Sequence, residues 1–278
     1  MKIKIYTRSF NPELYKLSST LYNHELEAVR LTDRMADGYF FSMLADKECD
    51  VAVNIDEDAF VTDWDAVMRL IETVVEGEYA NAGTPDCGPG CPRGCNPIVT
   101  NPFFNVLNLK LIRTKYSREA VRKFDYKAVK QEMKEDFDGK LLERLDGNLE
   151  CHDFEPYYQF FLWMAYNFKT LYLPATRHSD GISTILSDNN GNPFCLHSWF
   201  ARKFGVDKDQ TARINALIDA AYTLRGVPRP HLSAAERVFN TLELAVRYLR
   251  KAFMRISNWP HKWGIWWRRW RNGEKIWQ

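Results

Sequence analysis

The chain has 278 residues, 45% of them hydrophobic, and a formal net charge of +2. Its length suits one large α/β domain with an appendage, and the near balance of charge argues against a dedicated nucleic-acid binder. The first residues alternate like a strand and lack the apolar core of a signal peptide, and no run of eighteen apolar residues occurs, so we expect an intracellular protein without a membrane span. The six cysteines are expected to be thiols in that compartment.

The N-terminal part of the chain predicts alternating strands and helices. Strands are predicted over 2–7 and 27–32 and helices over 35–45 and 64–75, the last with Asp63 as its N-cap. The first strand runs into a polar turn that contains Thr7 and Arg8. Such a turn suits a nucleotide or phosphate, and an ordinary surface turn is an equal alternative. Asp33 and Arg34 follow the second strand.

A short apolar run that ends in three acids is the most informative stretch. Residues 51–55 are mostly apolar, which predicts a strand buried on both faces in a parallel sheet. Asp56, Glu57 and Asp58 follow directly. Because ligands bind at the carboxyl ends of strands in open α/β sheets, these acids are expected in the ligand crevice. Residues two apart on a strand point the same way, so Asp56 and Asp58 are placed to share one cation while Glu57 faces elsewhere.

The stretch from 81 to 101 is rich in Gly, Pro and Cys, which predicts a loop because Gly and Pro interrupt helices and strands. Cys87, Cys91 and Cys95 recur every fourth residue. The paired spacing of a zinc site is missing and no fourth ligand is evident. We interpret the stretch as a long functional loop, with the start of a zinc site as the alternative.

Two acids lie just before an aromatic helix in the second half of the chain. The helix is predicted over 157–168, and Asp153 and Glu155 precede it. In one interpretation Asp153 is only the N-cap of this helix. In the other, the acids supply a catalytic carboxylate at a helix N-terminus.

Two histidines follow further strand and loop signals. A strand is predicted over 171–174, shortly before His178, and a polar loop over 187–193 leads to His197. The composition of this loop is that of a lid that closes over substrate.

The C-terminal part of the chain, 206–278, is predicted to be a helical, basic extension of a catalytic domain that covers 1–205. Helices are expected over 207–224 and 234–256, and tryptophans alternate with arginines beyond them. This pattern is typical of a membrane interface with anionic lipid. Packing of the aromatic side chains on the catalytic domain and binding of single-stranded nucleic acid are the alternatives.

The order of these features resembles that of the GT-A-fold nucleotide-sugar glycosyltransferases over about residues 1–205. The resemblance implies an α/β fold with a mixed, mainly parallel sheet flanked by helices, here with a C-terminal helical extension. It implies that Asp56 and Asp58, as a D-x-D motif, bind Mn²⁺ or Mg²⁺ on the donor diphosphate. His178 is implied as the third metal ligand, with His197 as the second choice.

The same resemblance implies a catalytic base at Asp153 or Glu155. Only about fifty residues precede the acidic strand, fewer than GT-A members usually have there. The nucleotide-binding residues are therefore assigned by position alone, to Thr7, Arg8, Asp33, Arg34 and Asp56.

The resemblance implies a metal-dependent glycosyltransferase of the hexosyl type. We expect it to move a sugar from a nucleotide sugar such as a UDP-sugar to a hydroxyl of a glycan or lipid-linked saccharide. Inversion is the expected outcome, with retention as the alternative. We expect it to be peripheral at the inner face of the membrane, held on anionic lipid by the C-terminal extension, with no nucleic-acid partner. A metal-dependent hydrolase of phosphate or glycosidic bonds and a non-enzymatic membrane-binding scaffold are the alternatives.

Overall fold

The computed structural model describes residues 1–32, 38–92, 95–137, 148–153 and 155–257. Asp33 and Arg34, together with the Trp/Arg-rich stretch beyond residue 257, lie outside the described residues. The chain forms two compact units, Met1–Pro230 and His231–Gln278.

A six-stranded mixed sheet forms the centre of the first unit. Its strands are β1 (Ile3–Arg8), β2 (Glu27–Leu31), β3 (Val51–Ile55), β5 (Tyr79–Gly83), β6 (Phe104–Asn108) and β7 (Lys169–Tyr172). Their order across the sheet is β2-β1-β3-β6-β5-β7. The pairs β1/β2, β1/β3 and β5/β7 are parallel, whereas β6 is antiparallel to both of its neighbours. The predicted α/β fold with a mainly parallel sheet is confirmed.

Helices cover both faces of this sheet, as the uniform apolarity of β3 predicts. Val53 and Ile55 pack with helix α3 (Trp64–Glu76) on one face. Ala52 packs on the other face with α2 (Gly38–Ala45) and the aromatic helix α7 (Tyr158–Asn167). Since side chains alternate along a strand, one five-residue strand contributes to both cores. The remaining helices of this region are α1 (Pro12–Ser19), α4 (Leu109–Ile112), α5 (Arg118–Lys123) and α6 (Tyr126–Asp136).

A second, antiparallel sheet lies in the same unit. It contains β4 (Ala59–Val61), β8 (Ala175–Arg177), β9 (Thr184–Ser187) and β10 (Pro193–His197), in the order β4-β10-β9-β8. A short 3₁₀ helix (Ala201–Lys203) and α8 (Lys208–Arg225) follow. Ile214 and Ile218 of α8 are fully buried beside Leu14 and Leu17 of α1. Because of this core, α8 belongs to the first unit, and the boundary lies at residue 230 instead of 205.

The second unit contains the described helix α9 (Ala234–Ser257). Its start is closed by a capping box in which the Ser233 hydroxyl and backbone N–H donate to Glu236 and the Glu236 N–H donates back to Ser233. Among the residues that the structure describes, no helix combines the length and apolarity needed to cross a bilayer.

Several predicted elements are confirmed and others are corrected. Asp63 caps α3 by accepting from the Ala66 N–H at 3.0 Å. The interpretation of Asp153 as an N-cap is wrong, because α7 begins at Tyr158 and its N-cap residue, Tyr157, makes no side-chain cap. The predicted loop from 81 begins later, since 79–83 form β5. Gly83 is needed there because a Cβ would collide with Asn105 of the neighbouring strand.

Candidate active site at the carboxyl edge of the main sheet

The register between β1 and β3 brings Arg8 and the predicted acids to the same edge of the sheet. Tyr6 of β1 pairs with Asn54 of β3, so Arg8 at the end of β1 lies beside Asp56 at the end of β3. Because β6 runs in the opposite direction, its N-terminal end reaches this edge as well, and the Asp56 N–H donates to the Phe103 carbonyl at 2.8 Å. We call this region, with Arg8, Asp56 and Asp58 at its centre, the acidic edge.

Arg8 and Asp56 form a charged couple at the acidic edge. Both side chains are partly exposed. Burial opposes the charge of the guanidinium, but the nearby Asp56 carboxylate raises the pKa of Arg8, with smaller contributions from Tyr39 and Glu57. The guanidinium also lies 5.4 Å from the centre of the Tyr39 ring. The Arg8 guanidinium is therefore permanently charged. It is held beside Asp56, where it can attract an anionic group of a ligand.

Asp58 is buried and is held by two neighbours at the end of β10. Its Oδ1 lies 3.3 Å from His197 Nε2, and the Ser198 hydroxyl donates to Oδ2 at 3.1 Å. Burial alone would raise the pKa of Asp58, but the interactions with His197 and Ser198 lower it below the ordinary value. Asp58 is thus a carboxylate at neutral pH.

His197 is fixed by aromatic packing. Its ring stacks on Phe103, with centroids 4.2 Å apart and planes 12° from parallel, and lies 4.6 Å from the Trp199 ring. One ring nitrogen contacts Asp58, and the other, Nδ1, is buried and has no hydrogen-bond partner in the described part of the chain. Such an unpartnered polar atom in a rigid ring is a position where a ligand would gain a contact.

The chain after Ser198 is held in a strained conformation. Trp199 and Phe200 have φ values of 58° and 59°, a left-handed region that costs roughly 1–2 kcal/mol for each such residue. Arg213 of α8 donates to the Trp199 carbonyl at 3.2 Å and to Asp180 at the same distance. Strain that is held by the surrounding structure next to a polar cluster is typical of functional sites.

The Glu57 side chain is bonded to the turn that follows β1. Its Oε2 accepts from the N–H groups of Phe10 and Asn11 at 2.8 and 2.6 Å. Burial, and then the charge of Asp58, raises the pKa of Glu57 to about 8. Glu57 therefore fixes the turn between β1 and α1, and these two N–H groups of the turn are already bonded to protein.

The other predicted nucleotide and metal residues have different surroundings. Thr7 is buried and its hydroxyl bonds to Tyr22 at 2.6 Å, away from the acidic edge. His178 lies in the turn between β8 and β9, where its Nδ1 accepts from the Asp180 N–H at 3.2 Å. The imidazole that the structure brings to Asp58 is His197, the second choice of the sequence analysis.

Asp153 and Glu155 precede α7, whose first residue, Tyr158, bonds to Asp86 beyond β5. Asp153 is exposed and Glu155 is partly exposed. The Glu155 carbonyl accepts from the Tyr158 N–H at 3.0 Å. Both acids thus precede a helix whose start is bonded to Asp86, and the Asp153 side chain is exposed to solvent.

A further carboxylate, Asp86, was not singled out by the sequence analysis. It is fully buried three residues beyond β5 and accepts hydrogen bonds from Asn101, Tyr157 and Tyr158 at 2.5, 3.1 and 2.6 Å. Tyr157 also contributes to the charge environment of Arg8. Asp86 therefore joins the 84–101 loop to the start of α7. A single acid in a Gly- and Cys-rich loop has no spacing pattern that would reveal it.

A divalent cation at the acidic edge would need ligands from a substrate. Within the described ranges, no three or more His, Cys, Asp and Glu side chains are grouped to hold a metal by themselves. Asp58 and His197 do supply an adjacent carboxylate oxygen and imidazole nitrogen, and Asp56 lies two residues away. Mg²⁺ in particular is usually held by one or two carboxylates together with substrate phosphates. A cation that binds together with a diphosphate could use the Asp58–His197 pair in this way.

Two solved structures of other proteins align with this chain. A197 from STIV aligns with a TM-score of 0.32 and 12% identity, over 70% of this chain and 93% of that one. A glycosyltransferase involved in the glycosylation of the major capsid of PBCV-1 aligns with a TM-score of 0.29 and 12% identity, over 46% of this chain and 73% of that one. No protein-family model and no curated protein matches the sequence. Because both TM-scores are low, neither likeness indicates the function of this chain.

Proposed function

We propose that the protein is a metal-dependent glycosyltransferase that moves a sugar from a nucleotide sugar to a saccharide hydroxyl. The observation that carries the proposal is the pairing of Asp58 with His197 beside the Arg8–Asp56 couple. A guanidinium, two carboxylates and an imidazole are thereby gathered at the carboxyl ends of β1 and β3. Ligands of open α/β sheets bind at this edge.

Asp58 and His197, which are already adjacent, would hold Mn²⁺ or Mg²⁺ together with the donor diphosphate, and Asp56 would join them once the donor binds. When bound, such a cation acts as a Lewis acid for the departing nucleoside diphosphate. Arg8 orients the diphosphate and balances part of its charge through a guanidinium that cannot lose its proton. His197 and Ser198 keep Asp58 ionised and fixed in direction, so the site requires little reorganisation when the donor binds.

The acceptor hydroxyl needs a base on the opposite side of the sugar. We assign this role to Asp153 or Glu155, because both precede α7, whose Tyr157 and Tyr158 bond to Asp86 beside the acidic edge. A carboxylate there would take the hydroxyl proton as the new glycosidic bond forms. In this arrangement the sugar inverts its configuration.

Transfer activity tests the proposal directly. Purified protein with Mn²⁺ is incubated with UDP-, GDP-, CDP- and TDP-sugars, with and without saccharide acceptors, and products are identified by mass. We expect acceptor-dependent transfer from one nucleotide class, with UDP-sugars first. NMR of the product then gives the anomer. Hydrolysis of sugar phosphates without any transfer would favour the hydrolase, and no reaction in any combination would contradict both enzymes.

The C-terminal helix α9 supports a peripheral membrane location at the inner face. Its apolar side chains at 238, 242, 246, 249 and 253 form one stripe, and each of them is at least half exposed. Glu243 and Arg247, on the other side of the helix, are paired with each other and are mostly buried. The helix carries five Lys and Arg side chains but only two Glu side chains. An exposed apolar stripe on a basic helix suits the surface of an anionic bilayer.

Replacement of Leu249 by glutamate is expected to reduce binding to anionic vesicles about tenfold or more. Burial of a leucine side chain contributes roughly 1.5–3 kcal/mol to binding. The variant loses this contribution, and anionic lipid repels the new carboxylate. Co-sedimentation with phosphatidylglycerol and phosphatidylcholine vesicles measures this. Thr241→Glu adds the same charge at an exposed position outside the apolar stripe and should bind almost like the parent. Equal binding of both variants, or a dimer formed through α9 without vesicle binding, would overturn the membrane proposal.

A further inference from the structure

Two cysteines that are far apart in sequence lie where the 84–101 loop meets the segment before α7. Burial, and then the neighbouring Cys95 thiol, raises the pKa of the Cys151 thiol, so the two side chains lie close together. The backbone holds them there: the Asn148 N–H donates to the Cys95 carbonyl at 2.9 Å, and the Cys151 N–H donates to the Asn148 carbonyl at 3.0 Å. The contact is therefore part of a fixed junction between the 84–101 loop and the segment before α7.

Further bonds reinforce this junction on both sides. The Tyr126 hydroxyl donates to the Leu149 carbonyl at 2.8 Å, and the Asn96 amide donates to Tyr126 at 3.1 Å. Cys95 and the ring of Tyr126 belong to the same core. Closing a bond between the two sulfurs thus joins segments that the fold already holds together.

The two thiols differ in solvent exposure, as a stepwise thiol–disulfide exchange requires. Cys95 is 4% exposed, whereas Cys151 is partly exposed. An external disulfide can therefore reach Cys151 first, and Cys95 is placed to resolve the product. The remaining described cysteines, at 49, 87, 91 and 195, are buried.

We propose that Cys95 and Cys151 form a reversible disulfide by exchange with a low-molecular-weight disulfide. The Cys151 thiolate attacks the external disulfide and releases one small thiol. The Cys95 thiolate then attacks Cys151 in the mixed disulfide and releases the second small thiol, so the protein loses two hydrogens and the reagent gains them.

This disulfide would act on the site through Tyr158. The Tyr158 hydroxyl bonds to Asp86 at 2.6 Å and also interacts with the Cys95 thiol. Oxidation removes the Cys95 proton from this group and fixes the loop that carries Asp86 against the segment that carries Asp153. The modification is independent of the proposed sugar transfer, because it is read from the thiols themselves.

The rate of closure should rise with pH. Burial, and then the neighbouring Cys95 thiol, raises the pKa of Cys151 to about 11. Because the thiolate is the attacking species, its fraction increases about tenfold for each pH unit below that pKa.

The native full-length protein is incubated with oxidised glutathione, free thiols are alkylated, and peptides are mapped by mass spectrometry. We expect the loss of two free thiols, a Cys95–Cys151 peptide link and its reversal by a reducing agent. Cys195→Ser should behave like the parent except for its own thiol, while Cys151→Ser should form no link. A link through Cys87 or Cys91, or a stable glutathione adduct on Cys151 without closure, would overturn the proposal. The peptide map of the parent protein alone shows whether the Cys95–Cys151 link forms, so the test does not depend on the folding of a variant.

Discussion

Replacement of Asp58 by asparagine is expected to reduce sugar transfer by at least about 100-fold, since loss even of a group that only supports a metal ligand typically costs 10–100-fold. Asparagine keeps the shape of the side chain and can still accept from Ser198. It loses the negative charge that pairs with His197 and that a cation requires. We expect the fold to persist, at a cost of about 1–3 kcal/mol for the altered buried hydrogen bonds. Steady-state kinetics with the preferred donor measures the loss.

The matched control for this variant is Asp65→Asn. Asp65 is an exposed acid in the first turn of α3, so its replacement changes the net charge equally and leaves the acidic edge intact. It should keep transfer activity within about twofold of the parent, as expected for surface substitutions. If Asp58→Asn is folded and equally active, Asp58 has no part in binding the donor.

The second large effect concerns Glu57 and pH. Its pKa is raised to about 8 by burial and by Asp58, so the folded state binds this proton more tightly than the unfolded chain does. The associated stability is fully present below the ordinary glutamate pKa and is lost as the pH rises toward 8. We expect a decrease on the order of 4 kcal/mol in the free energy of unfolding over this range. The corresponding fall in melting temperature is about 10 °C.

Glu57→Gln removes the titrating group and keeps an oxygen that can accept from Phe10 and Asn11. Its melting temperature should vary much less between pH 5 and 9 than that of the parent. Glu25→Gln, at an exposed position, should retain the parental pH dependence. Titration of Asp46, whose hydrogen bonds with Lys4 and Tyr6 lower its pKa to about 2, is complete below this range. A parent whose stability is constant from pH 5 to 8 would show that Glu57 ionises normally.

The sequence predicts the central layer of the fold because those elements have strong local signals. The apolar run at 51–55 can only be buried on both faces, and Asp63 with its following apolar stripe specifies the start of α3. Strand β5 was missed because its residues are small and partly polar, which gives no apolar strand pattern. Their small size allows close packing against β6. The strands of the second sheet have three to five residues, and a pattern of that length is weak without its pairing partners.

The choice between the two histidines shows where sequence reasoning ended. His197 reaches Asp58 because β10 pairs with β4, which places His197 opposite Ala59. That pairing joins segments separated by more than a hundred residues, and no local pattern encodes it. Asp86 was missed for the same reason, since its role depends on tyrosines of α7 that are distant in sequence.

The most direct measurement of the central claim is the thermal shift caused by nucleotide and cation together. Protein is melted with Mn²⁺ alone, with UDP, GDP, CDP or TDP alone, and with each pair. If the acidic edge holds a cation only with a diphosphate, one pair should stabilise the protein more than the sum of its components. At a ligand concentration of 100 times Kd the gain is about 2.7 kcal/mol. Asp58→Asn should abolish this extra shift. A parent protein that responds to every pair only as it does to Mn²⁺ alone would contradict the assignment of Asp56, Asp58 and His197.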